Sequence, residues 1–96
     1  MVDQNTERIV SIGQAFTIDL EAIPDGGYLW GIVQKPTELE LIGQEVLAIS
    51  KDIGGNSIQR FTLSAQRAGI YSLTFELKRS WEKQPVKTAL FMIRVS

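Results

Sequence analysis

The chain has 96 residues, ten of them basic and eleven acidic, and contains neither cysteine nor histidine. That length fits one domain. A net charge of −1 offers no basic excess to neutralise phosphates, so nucleic acid is not an expected partner. Without Cys or His, the chain has no disulfide, no thiolate nucleophile, no Ser-His-Asp or Cys-His catalysis and none of the usual zinc ligands. No cofactor or metal is therefore expected. No apolar run approaches the ~20 residues that span a bilayer, and no charged-then-apolar leader follows Met1. The expectation is a monomer without membrane contact, cytoplasmic as given, and periplasmic or secreted if a leader has been removed. The hydrophobic fraction of 44% is ordinary for a globular domain, so only the polar start, residues 1–6, is expected to be flexible.

The dominant periodicity along the chain is two. Phe16, Ile18, Leu20 and Ala22 alternate with Thr17, Asp19 and Glu21. Phe61, Leu63 and Ala65 alternate with Thr62 and Ser64, and Tyr71, Leu73, Phe75 and Leu77 with Ser72, Thr74 and Glu76. Each run reads as a strand with one face in a core and one in water. Ala89, Phe91, Ile93 and Val95 form a last strand whose other face, with Leu90 and Met92, is also partly apolar. Turn signals at Gly13-Gln14, Pro24-Asp25-Gly26-Gly27, Lys35-Pro36, Gly54-Gly55-Asn56, Ala68-Gly69 and Lys83-Gln84-Pro85 divide the chain. Seven strands result, over 7–12, 15–22, 28–34, 37–50, 57–66, 70–79 and 87–95. Gly43 interrupts the fourth, where a helix through Glu45–Ile49 competes with a strand bent by a bulge; the bulged strand is the reading adopted.

Strands of this length and spacing predict an all-β, immunoglobulin-like antiparallel sandwich. Two details support that form. Trp30 falls in the third strand, where such folds bury a tryptophan between their sheets. Tyr71, after Arg67-Ala68-Gly69-Ile70, falls at the corner where its hydroxyl can bond backbone upstream. Leu20 and Leu73 then take the places that a disulfide holds in antibody domains. The expected core comprises Phe16, Leu20, Trp30, Phe61, Leu63, Tyr71, Leu73, Phe75, Phe91 and Ile93.

If the strands alternate up and down, the connections at 23–27, 51–56 and 80–86 share one end. Two of these carry adjacent glycines, which let backbone approach a partner closely. The third carries Trp81, which continues the core-facing parity of its strand yet lies beyond it. It is either a lid on the sandwich end or an exposed anchor of the kind enriched at interfaces. The carboxylate pairs Asp19/Glu21 and Glu38/Glu40 each share a strand face and are the best candidates for acid–base chemistry. Alternation places them opposite the core residues, on a solvated face.

The three loops resemble those of the chagasin family, proteinaceous inhibitors of papain-like cysteine proteases with an immunoglobulin-like fold. Ile23-Pro24-Asp25-Gly26-Gly27-Tyr28-Leu29-Trp30 matches the family's first loop at Pro24, Gly27, Tyr28 and Trp30. Asp52-Ile53-Gly54-Gly55 matches its glycine-rich second loop at Gly54 and Gly55. Arg79-Ser80-Trp81 matches its third at Arg79 and Trp81. The chain departs from the pattern at Ile23, Asp25, Gly26, Asp52 and Ser80. The resemblance implies a reversible, non-catalytic inhibitor that inserts loops 23–28, 51–56 and 79–86 into the protease cleft. Pro24, Asp25, Gly26, Gly27 and Tyr28 would lie nearest the catalytic cysteine. Ile53, Gly54 and Gly55 would lie along one side, with Arg79, Ser80 and Trp81 on the other. The alternative is a non-inhibitory binding module of the same fold with a different protein partner.

Overall fold

A computed structural model of the chain describes residues 4–22, 27–48 and 57–96. Seven strands follow one another: β1 (Gln4–Val10), β2 (Ala15–Ala22), β3 (Leu29–Gln34), β4 (Leu39–Ala48), β5 (Ser57–Ala65), β6 (Gly69–Lys78) and β7 (Lys87–Val95). They form a four-stranded sheet ordered β1-β7-β6-β3 and a three-stranded sheet ordered β2-β5-β4. The two sheets make the expected immunoglobulin-like sandwich. Every pairing is antiparallel except that of β1, which runs parallel to β7 from Gln4↔Ala89 to Val10↔Val95. β1 thus begins at Gln4, earlier than the expected start at residue 7, and takes Asn5 and Thr6 of the polar start into the sheet.

The alternation in the sequence becomes the inner faces of the sheets. Along β2, Phe16, Ile18, Leu20 and Ala22 are buried while their neighbours are exposed. Nine of the ten expected core residues are buried, and the tenth, Tyr71, is half-buried and packs against them. Phe61 of β5 meets Phe75 of β6 across the sandwich with ring centroids 4.8 Å apart, and Phe75 meets Phe91 of β7 edge-on at 5.6 Å. Tilted and edge-on rings suit the aromatic quadrupole. Losing one such ring to alanine typically costs ~3–5 kcal/mol.

The β3–β6 register shifts between Ile32 and Gln34, where no glycine or proline stands, whereas two other irregularities fall at glycines. The β4–β5 register shifts between Leu41 and Gly43, so β4 is one bulged strand and the competing helix does not form. The Tyr71 hydroxyl donates to the carbonyls of Arg67 and Ala68, each 3.1 Å away. Gly69, at φ 150°, makes room for it, since a Cβ there would lie 3.0 Å from the Tyr71 oxygen.

Candidate functional site

Strand register fixes where the three connections start. Ser57 pairs with both Ala22 and Ala48, so the chain leaves β2 and passes from β4 to β5 at adjacent points on one rim. On the other sheet Leu29 pairs with Lys78 and Leu77 with Lys87, so β3 begins where the β6–β7 connection springs. Hydrogen bonds tie the two rims together. The Trp30 indole Nε1–H donates to the Glu21 carbonyl at 2.8 Å, bridging the residues that flank the β2–β3 connection. Gln59 of β5 accepts from the Trp30 N–H at 2.6 Å and donates to its carbonyl at 3.2 Å. The stems of all three connections therefore stand at one end of the sandwich. Pro24, Asp25, Gly26, Ile53, Gly54 and Gly55 lie outside the described residues.

The described part of the site is a stack of three side chains on a glycine. Gly27 has φ 78°, a conformation that side chains disfavour. A Cβ added to it would lie 3.5 Å from Cη2 of Trp81 and 3.7 Å from Cγ of Arg79. These are ordinary van der Waals distances, so the backbone angle and not crowding calls for glycine, and Gly27 lies beside the β6–β7 connection. The Arg79 guanidinium lies 4.8 Å from the Tyr28 ring centroid and 5.3 Å from that of Trp81. Both distances fall within cation–π range. Glu82 holds the guanidinium in place through a 2.6 Å bond from Arg79 Nε, and its own N–H closes a turn onto the Arg79 carbonyl. Tyr28 is half-buried against the core, whereas Trp81 is 70% exposed. Trp81 is therefore not a lid over the sandwich end. It stands out in solvent on a backing of Arg79 and Gly27, next to exposed Ser80.

Electrostatics agree with this geometry. The hydrogen bond from Arg79, and secondarily its charge, hold the Glu82 carboxyl below the usual range, and the same contact raises Arg79. The carboxylate pairs considered for acid–base work are engaged otherwise. Asp19 accepts two 2.9 Å bonds from Arg60 on the outer face of its sheet, and that pairing lowers its pKa. A depressed carboxyl is the reverse of a general acid held protonated at neutral pH. Glu38 and Glu40 accept from Thr37 and Gln66 respectively. Among the described residues, no group of three or more His, Cys, Asp or Glu is placed to hold a metal. The described site presents an exposed aromatic surface, which suits binding rather than bond-making.

Sequence reasoning singled out Arg79 and Trp81 but missed Glu82 and Gln59. The i,i+3 spacing of Arg79 and Glu82 was available as a signal, as was the polar residue at Gln59 in core-facing register with Phe61 and Leu63.

An immunoglobulin-like sandwich with the stems of three connections and an exposed tryptophan at one end has the form of a protein-binding module. Residues 9–95 match the model of the chagasin family of peptidase inhibitors (I42), and the chain belongs to that family. Its members are inhibitors and not enzymes. Among solved structures, the chain is similar to the cysteine protease inhibitor EhICP2 from Entamoeba histolytica. The TM-score is 0.83 at 22% identity, over 98% of this chain and 89% of that one. It is also similar to PbICP-C, solved in complex with falcipain-2, with a TM-score of 0.73 at 20% identity over 99% and 91% of the two chains. Amebosin gives 0.74 at 15% identity over 97% and 98%. At these identities the likeness shows the fold. Among curated proteins, none matches the sequence significantly.

Proposed function

We propose that this chain is a reversible inhibitor of papain-like cysteine proteases that inserts loops 23–28, 51–56 and 79–86 into the active-site cleft. Family membership supports inhibition of a peptidase. The names of EhICP2, a cysteine protease inhibitor, and of the PbICP-C complex with falcipain-2 support the cysteine class. The observation that carries the reading is the nearness of Gly27 to Trp81, with the Arg79 guanidinium within cation–π distance of both the Tyr28 and the Trp81 ring. It brings Gly27 and Tyr28 of the first loop beside Arg79 and Trp81 of the third. Residues Pro24–Gly27 form the tip that blocks the catalytic cysteine, Ile53–Gly55 line one wall by backbone contacts, and Trp81 packs on the other. The inhibitor supplies no reacting group.

Titration of papain and of a cathepsin with the purified protein tests this reading. The expected result is reversible, competitive inhibition at one-to-one stoichiometry. Lack of inhibition of either enzyme at high micromolar protein would favour a binding module with a different protein partner.

A further inference from the structure

The outer face of the four-stranded sheet carries an open groove beside the loops. Leu29, Gly31 and Val33 of β3 line it, Glu76 and Lys78 of β6 border it, and Trp81 stands at its loop end; its volume is about 400 Å³. Leu29 and Val33 are 47% and 52% exposed, so the apolar lining is open to solvent. Gly31 lies between them, paired with Glu76. Neither a positive φ nor crowding calls for glycine there, since an added Cβ would meet no atom within 4 Å. Glycine inside a strand weakens it, and it often marks a place where a ligand or another backbone comes close. What glycine provides at position 31 is the depth of the groove.

We propose that this groove receives an apolar side chain of the same peptidase that engages Trp81, so that the contact runs from the loop tips along β3 onto the sheet. The inference rests on the inhibitory reading above, because Trp81 belongs at once to the groove wall and to the third loop. A partner seated on Trp81 borders the groove without a gap, and Leu29 to Val33 extends the contact by roughly 13 Å at about 3.3 Å per residue. An apolar floor with Glu76 and Lys78 along its border has the composition of an interface core inside a polar rim. Addition of a partner strand to the free edge of β3 fits less well. Gln59 already occupies the N–H and carbonyl of Trp30 on that edge.

Filling the groove from position 31 tests the proposal. Gly31→Ala and Gly31→Val add side chains into open space, and valine suits a strand, so neither lowers the melting temperature. The inhibition constants against papain and a cathepsin are expected to rise in order of side-chain size. Alanine should weaken inhibition by about 2- to 5-fold and valine by about 5- to 100-fold. If the valine variant melts early, the alanine variant decides. Equal inhibition constants for the wild type and a stably folded variant would overturn the groove and leave the inhibitory reading standing. No inhibition by the wild type would overturn both.

Discussion

The side chain of Gln59 brackets the backbone of Trp30, accepting from its N–H at 2.6 Å and donating to its carbonyl at 3.2 Å. An amide from the three-stranded sheet thereby stands in for a neighbouring strand at the edge of the other sheet, directly below the β2–β3 connection. Gln59→Leu keeps the volume but strands both backbone groups. A buried group left unpaired typically costs ~1–3 kcal/mol. Urea unfolding should show a loss of that size, with inhibition weakening in parallel because the loop stem is no longer held. A midpoint equal to that of the wild type would mean that water replaces the clamp.

Trp81 makes the opposite prediction, since it is 70% exposed and contributes little to the core. Trp81→Ala should leave thermal unfolding nearly unchanged. Truncating an interface anchor typically costs ~2–4 kcal/mol, which is roughly a 30- to 1000-fold loss of affinity. Calorimetry and inhibition kinetics on the same preparation check both halves. A large fall in melting temperature would contradict the exposed anchor.

The Arg79–Glu82 pair should be sensitive to acid. Arg79 holds the folded-state Glu82 carboxyl below its ordinary value of 4.5. The pair's contribution is then complete above that value and fades as pH falls through the lower, folded-state value. The Arg79 Nε–H resonance should stay constant from neutral pH to about 5 and shift below about 4.5. In Glu82→Gln it should take the shifted position at neutral pH, with inhibition about 2- to 5-fold weaker. A resonance that ignores both acid and the substitution would show that the pair does not form in solution.

Gly69 and Tyr71 form one corner, and their substitutions should differ in size. Tyr71→Phe removes the bonds to the carbonyls of Arg67 and Ala68, a loss of about 1 kcal/mol. Gly69→Ala sets a Cβ 3.0 Å from the tyrosine oxygen at φ 150° and should cost more. Chemical unfolding that ranks the two in the other order would place the strain elsewhere.

The inner faces of the sandwich were legible because alternation is a strong signal wherever one face is buried, as for Phe16, Ile18 and Leu20. The bulge at Gly43 and the tyrosine corner were legible because each depends on a residue type at a local spacing. The start of β1 was not. Gln4–Thr6 pair through backbone at a sheet edge, where no apolar side chain is demanded, and parallel pairing to β7 leaves no hairpin length to read. Of the candidate site, Gly27, Tyr28, Arg79 and Trp81 were legible as loop motifs, and the structure brings these four together. The placement of Arg79 between two rings, the Gln59 clamp and the space above Gly31 all depend on tertiary neighbours distant in sequence.

Protection of the protease's catalytic cysteine tests most directly the claim that the loop end of this chain occupies the cleft. The rate at which a small alkylating reagent modifies active papain is measured with increasing inhibitor. The account predicts that the rate falls in proportion to complex formed and is strongly suppressed at saturation, with Trp81→Ala requiring correspondingly higher concentrations. Alkylation at an undiminished rate while the complex forms would contradict it, placing the bound protein away from the catalytic cysteine.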